Sequence, residues 1–316
     1  ILTGFILSSL VSFLLIPHFI RLLERFRFGK QIREEGLIGK ALEFAQLHQY
    51  KTGTPTMGGF IIIFTTLVII ILSVIGHTLE WRIGTLDLHL SHSLWSRAET
   101  YLPIFTLVSV GLIGMADDYL NIREIGRTKG LSARVKMILL ILFASIAAWW
   151  FYDKLGYTSL DIPFFGTIGV SWLYIPIFIL VIVGTANSVN ITDGLDGLAG
   201  GLLLFNYILY SFISYQHGLF LLSTLCMVIS GALVSFLWFN IKPAKFYMGD
   251  LGSLSLGATL AVIAMMTNTL FVLLITGSIF FFETISVILQ LGSKKLRNGK
   301  KIFRIAPFHH HLEAIG

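Results

Sequence analysis

Residues 182–201, IVGTANSVNITDGLDGLAGG, decide how the rest of the chain is read. They set two amides, Asn187 and Asn190, and two carboxylates, Asp193 and Asp196, at a spacing of three between apolar runs too long for a soluble protein. On a helix or helical turn, groups three and six residues apart share one face. Gly194, Gly197, Gly200 and Gly201 allow tight turns and close backbone approach. Polar groups gathered at a membrane surface normally have a function, and this set suits a phosphate or a nucleoside. The plainer reading is a Gly-rich break with an Asp helix cap, but a cap needs only one Asp.

Outward from this stretch the chain is apolar. Its 316 residues are 55% hydrophobic and 13% charged, with a mean hydropathy of +0.82, where a soluble chain carries about 25% charged residues. This predicts an all-α polytopic integral membrane protein, residues 1–316 forming a single transmembrane domain. Nine apolar segments are expected, over residues 1–23, 56–75, 101–116, 135–151, 171–189, 197–213, 218–239, 251–267 and 269–290. Most are near the ~20 residues that a span requires. The first has no basic region before it and is followed by positive charge, so it is expected to remain as a membrane anchor. The single cysteine, Cys226, lies mid-segment and reads as a packing residue.

The basic residues orient the chain. Loops 24–54, 117–134, 190–196, 240–250 and 291–316 fall on one side and, with the adjoining helix ends, carry 20 Lys and Arg against three on the other. By the positive-inside rule the basic side is cytoplasmic. The net charge of +6 therefore belongs to a face for anionic lipid or anionic substrate, with no nucleic-acid module.

The remaining motifs fall on that same side. Thr54-Pro55-Thr56 reads as an extended entry to a helix starting near Met57, where Gly58 and Gly59 either offer free amides at an anion-binding N-terminus, with Lys51 close by, or belong to an ordinary Pro-opened helix. Asp117 and Asp118 end the third segment. Adjacent residues on a helix point about 100° apart, so one can serve a metal while its neighbour does something else. Two adjacent carboxylates also call for a compensating cation or make a general base. Lys129, Arg134 and Lys136 beyond them can meet phosphates. Asp250 precedes a new helix, where an N-cap is the competing reading. Asn240 and Tyr247 flank it as base-recognition and stacking groups. Glu283 lies inside the ninth segment, either paired with a polar group or marking a helix break. His309, His310 and His311 are consecutive, so one helix cannot aim all three at one metal; bonds to phosphate or sugar suit them better.

PTMGG at 55–59, DDY at 117–119, NSVNITDGLDGLAGG at 187–201, FNIKPAKFYMGDLGSLSLG at 239–257 and FRIAPFHHHLE at 303–313 together resemble the bacterial phospho-N-acetylmuramoyl-pentapeptide transferases. That family is a branch of the polyprenyl-phosphate N-acetylhexosamine-1-phosphate transferases. The resemblance implies Mg²⁺-dependent transfer of phospho-MurNAc-pentapeptide from UDP-MurNAc-pentapeptide to undecaprenyl phosphate. Lipid I and UMP would form on the cytoplasmic face of a bacterial inner membrane. It also implies a homodimer of ten-helix protomers, where nine segments are read here. Carried over by motif, Asp250 ligates Mg²⁺, Asp117 is the base for the lipid phosphate and Asp118 supports the site. Asn187, Asn190, Asp193, Asp196, Asn240 and Tyr247 form the nucleoside side. Lys51, Thr56, Lys129, Lys136, Gln290 and His309, His310 and His311 surround phosphates and sugar. The chain departs from the family pattern at Asn121, where a basic residue is familiar, at Tyr247, where Phe is, and in the 29–51 loop, which lacks the usual Pro-x-Ser-His element. A carrier would instead place its polar groups near the bilayer midplane and show repeated halves, and a scaffold protein would not need five polar motifs on one face.

Overall fold

The structure, a computed structural model, describes residues 1–29, 52–78, 82–83, 86–87, 92–96, 98–125 and 130–315. Lys51 and Lys129 lie outside the described residues. Among the described residues eight helices are long and apolar enough to cross a membrane. They are α1 (Leu2–Arg25), α2 (Gly59–Thr78), α3 (Ala98–Ile122), α4 (Ala133–Trp149), α5 (Tyr174–Thr192), α6 (Leu198–Gln216), α7 (Phe220–Asn240) and α8 (Gly249–Met266). In hydrocarbon the backbone must satisfy its own hydrogen bonds, which is why apolar runs of this length become helices. Two short antiparallel hairpins, β1 (Arg82–Ile83) with β2 (Leu86–Asp87) and β3 (Ser159–Ile162) with β4 (Gly166–Gly169), lie in the connections.

The ninth apolar segment is not one straight helix. It breaks into α9 (Leu270–Thr276) and α10 (Ser278–Leu296), which meet at 73° around Gly277. Asn206 of α6 holds the break: its amide nitrogen donates 3.4 Å to the Thr276 carbonyl, and its Oδ1 accepts the Thr276 hydroxyl at 2.6 Å. A buried polar side chain thus meets backbone that the broken ladder leaves exposed. A short helix, α11 (Phe308–Ile315), ends the described chain.

Helix α8 is the axis of the bundle. Every residue from Leu251 to Met266 is buried, whereas α1 leaves Leu10, Phe13 and Leu14 on the outside. Helices α2, α3, α5 and α6 pack directly on α8, and α7 packs on α1, α2 and α6. Without a hydrophobic drive between helices in lipid, small residues that let backbones approach do this work. A methyl on Gly59 would lie 2.1 Å from the Cα of Gly252, and one on Gly114 would lie 2.4 Å from the Asp250 carbonyl oxygen. These two crossings draw α2 and α3 onto the first turn of α8, where Asp250 sits.

The same crossing corrects the expectation of an anion site at the start of α2. The helix begins at Gly59. The Gly58 amide donates to the Tyr247 carbonyl at 2.7 Å and the Gly59 amide to the Met248 carbonyl at 2.8 Å. These amides are spent on backbone, so the glycines of PTMGG serve the packing of α2 on the 246–252 segment. The four polar groups of residues 187–196 also do not share one helical face. Helix α5 ends at Thr192, Asp193 is its C-terminal cap, and Asp196 lies in the turn that follows.

Candidate active site

The first turn of α8 gathers the C-terminal part of α3, the first turn of α4 and the end of α5. Helix α8 has no side-chain cap of its own at Met248. Asp118 of α3 supplies one from outside: its Oδ1 accepts the Asp250 amide at 3.1 Å and its Oδ2 accepts the Leu251 amide at 3.0 Å. A carboxylate on the free amides of a helix N-terminus is favoured by both hydrogen bonding and dipole. Asp250 is therefore not the cap, and its own carboxylate is left for other partners.

Those partners are Lys136 and Asn190. Asp250 Oδ2 pairs with the Lys136 ammonium, and Oδ1 accepts the Asn190 amide nitrogen at 2.8 Å. Asn190 also donates 2.9 Å to the Ser253 hydroxyl, one turn along α8. Asp117 Oδ2 lies 2.5 Å from the same Lys136 nitrogen, while Oδ1 accepts the Leu131 amide at 2.6 Å. The adjacent acids thus have different tasks, as their angular separation on a helix requires. Asp117 and Asp250 converge on one cation, and Asp118 holds the backbone beneath them. Three carboxylates against one ammonium leave a formal charge of −2 for groups that are mostly buried.

Several other expected site residues brace the loops around this cluster. Asn240 is 2% exposed, and both ends of its amide are engaged by backbone: Oδ1 accepts the Gly197 amide at 3.0 Å and Nδ2 donates to the Phe246 carbonyl at 2.8 Å. It ties the 194–197 turn to the 241–248 loop. Asp196 joins the same two segments by accepting the Ala244 amide at 3.2 Å. Gln290 accepts the Ile302 and Phe303 amides at 2.9 and 3.0 Å and donates to the Phe303 carbonyl at 2.8 Å, anchoring the tail to α10. Asn187 donates back to Val183 of its own helix at 2.8 Å. Thr56 and Tyr247 are buried where the 52–58 and 241–248 segments meet, and the Tyr247 amide donates to the Pro55 carbonyl at 2.8 Å.

The three histidines separate. His309 and His310 are buried, with ring centres 4.1 Å apart, and both reach the Gly194 turn. His310 Nδ1 lies 3.1 Å from Glu313. His311 turns to the rings of Phe303 and Phe308, and its Nδ1 accepts the Arg304 amide at 3.2 Å. Glu283 proves to be the partner of His309, its Oε2 lying 3.1 Å from His309 Nδ1. The sequence signal for it was an ionisable group inside an apolar segment. Ser253 and the Leu131 amide complete the cluster without any such signal.

Fold and comparison with known proteins together define a polytopic membrane transferase, with this cluster as its candidate site. Residues 101–268, which carry α3 to α8, match the family described as Glycosyl transferase family 4. The chain is 38% identical to a phospho-N-acetylmuramoyl-pentapeptide-transferase of Geobacillus sp. (strain WCH70), over 98% of this chain and 88% of that one. It is 37% identical to the protein of that name from Clostridium perfringens (strain 13 / Type A), over 100% and 90%. It is 39% identical to the one from Thermodesulfovibrio yellowstonii, over 97% and 82%. The chain belongs to the phospho-N-acetylmuramoyl-pentapeptide-transferase family.

Proposed function

We propose that this chain, as one transmembrane transferase domain, moves phospho-MurNAc-pentapeptide from UDP-MurNAc-pentapeptide to undecaprenyl phosphate, giving lipid I and UMP for peptidoglycan synthesis. The observation that carries the reading is the convergence of Asp117, Lys136, Asn190 and Asp250, from four different helices, at one end of the bundle. Attack of one phosphate on a diphosphate brings several negative charges together, so it needs cations and positioned polar groups. The 20-to-3 distribution of Lys and Arg supports a cytoplasmic location for that end, in a bacterial inner membrane. The homodimer is carried over from the family resemblance.

The donor set fits Mg²⁺. Among the described residues no group of three or more His, Cys, Asp and Glu is placed to hold an ion by itself. Mg²⁺ ordinarily takes one or two carboxylates and completes its shell from water and substrate phosphates. Asp250 would hold it, beside Asp117, since these two carboxylates already converge on one cation. Bound there, Mg²⁺ would supply Lewis-acid polarisation and charge neutralisation at the diphosphate. The protein groups then have separate tasks. Asp117 accepts the proton of the lipid phosphate, whose oxygen attacks the sugar-linked phosphorus as the bond to UMP breaks. Lys136 offsets charge between the two phosphates. Asn190 keeps Asp250 oriented, and Asp118 fixes the turn that carries it. Asn187, Asp193, Asp196, Asn240 and Tyr247 form the nucleoside side. The family resemblance assigns Lys51, Thr56, Lys129, Gln290, His309, His310 and His311 to the sugar and phosphate side.

The test is UMP release by the purified protein given undecaprenyl phosphate, Mg²⁺ and either UDP-MurNAc-pentapeptide or UDP-N-acetylglucosamine. Release with the first donor alone is expected. Release with the second donor alone, or with neither, overturns the proposal.

A further inference from the structure

Glu283 is a charged residue inside an apolar helix, 4% exposed, and no step above uses it. A buried carboxylate in such a place is expensive unless it is paired, and an apolar pair of the same volume would serve stability as well or better. Its partners all come from the first turn of α11. Both carboxylate oxygens lie 3.2 Å from the His309 amide nitrogen, and Oε2 lies 3.1 Å from His309 Nδ1. Ser286, three residues on, accepts the Phe308 amide at 3.0 Å, so this turn of α10 is a socket for the start of α11. The socket is fixed to the site: Thr284 between them donates 2.9 Å to Ser188 of α5, one turn before Thr192.

With Nδ1 turned to the carboxylate, the other ring nitrogen faces the opposite way. Among the described residues neither ring nitrogen of His309 meets hydrogen-bond geometry: Nδ1 has only its 3.1 Å approach to Glu283, and the buried Nε2 has no partner. It lies against Gly194, where an added methyl would come within 2.2 Å of it. Gly194 is four residues beyond Asn190, the residue that orients Asp250. A buried nitrogen without a partner is costly, and a ligand atom that completes it is one way such a group is retained.

We propose that Glu283 is a positioning residue for the transfer. Through Nδ1 it fixes the orientation and tautomer of His309, so that Nε2 is held at the Gly194 turn for a polar atom of the sugar diphosphate. The inference rests on the functional reading above. It uses a general device, in which a carboxylate behind an imidazole decides which ring nitrogen meets the ligand.

The experiment uses the full chain in lipid nanodiscs, with selectively ¹⁵N-labelled histidine and His309 assigned by loss of its signals in His309→Gln. In the wild type His309 should be protonated at Nδ1, and in Glu283→Gln that fixed state should give way to a mixture of tautomers. Glu283→Gln should lower kcat/KM by about 10- to 100-fold. In a double-mutant cycle, Glu283→Gln should add less than about 2-fold to the loss caused by His309→Gln, because the two act as one unit. Losses that multiply, a wild-type kcat/KM in Glu283→Gln, or an unchanged tautomer overturn the proposal. If Glu283→Gln does not fold, Glu283→Asp, which keeps the charge and withdraws it by one methylene, goes through the same cycle under the same criteria. A wild-type protein inactive on UDP-MurNAc-pentapeptide sinks the functional reading. The tautomer measurement needs no turnover, so it judges the Glu283 assignment separately.

Discussion

Replacing Asp118 by Asn tests whether this acid is a structural cap and not a second metal ligand or base. Its two carboxylate oxygens accept the Asp250 and Leu251 amides at 3.1 and 3.0 Å, and the residue is 7% exposed. A hydrogen bond to a charged group contributes about 1.5–3 kcal/mol. Asn keeps one acceptor oxygen and turns an NH₂ toward the second amide. One charged bond is lost and a buried donor is left facing a donor, at a further cost of about 1–3 kcal/mol. Removing one of three clustered negative charges offsets part of this. The net loss is then about 2–4 kcal/mol, or a fall of roughly 4–8 °C in the unfolding midpoint at about 2 °C per kcal/mol for a chain of this size. Differential scanning fluorimetry in detergent, with Asp117→Asn beside it, makes the comparison. Asp117 accepts one backbone amide, from Leu131, and shares Lys136 with Asp250, which keeps the ammonium paired when Asp117 is changed, so its variant should unfold closer to the wild type. If Asp118→Asn unfolds within about 1 °C of wild type and turns over normally, the capping assignment is wrong.

Asp117→Asn should lower turnover by about 10²- to 10⁴-fold with little change in uridine nucleotide affinity. Since the second ionisation of a phosphate monoester lies near about pH 6, raising the pH should restore part of that rate; a rate flat with pH counts against proton removal. Asp250→Asn should lose turnover and raise the Mg²⁺ concentration needed for half-maximal rate, and EDTA should abolish activity reversibly in the wild type. Full activity in metal-free buffer would remove the metal from the scheme. Gly59→Ala should destabilise by about 1–3 kcal/mol, as overpacking does, because its methyl would meet Gly252 at 2.1 Å and part α2 from α8. Gly201→Ala, where an added methyl meets nothing within 4 Å, should fold and turn over as wild type in the same assays.

What could be read from the sequence divides along a physical line. Apolar length alone locates eight of the spans, because hydrocarbon leaves the backbone no alternative to the helix. The break at Gly277 was hidden because its cause is not local: Asn206, on another helix, supplies the bonds that the interrupted ladder needs. In the same way, residue type and membrane side pick out Asp117, Asp118 and Asp250 as a group. Their division of labour depends on which amides and ammonium groups other helices bring, and no spacing rule contains that. Gly58 and Gly59 show the converse error. A Pro-led, Gly-rich helix start carries the local signature of an anion site, but here its amides are consumed by the carbonyls of Tyr247 and Met248.

That consumption explains how a site with several acids can be kept in register at the end of a bundle. The first turn of α8 is held from two directions: Asp118 of α3 takes its amides, and the amides leading into α2 take the carbonyls just before it. With the backbone of residues 247–251 tied at both donors and acceptors, Asp250 has little freedom except at its side chain. Lys136 and Asn190 set that side chain from two further helices. Moving α2, α3, α4 or α5 relative to α8 therefore alters the environment of one carboxylate. Such a site rewards rigid small-residue packing of its helices, and it also makes the methyl-sized substitution Gly59→Ala, made outside the charged cluster, a perturbation of the chemistry itself.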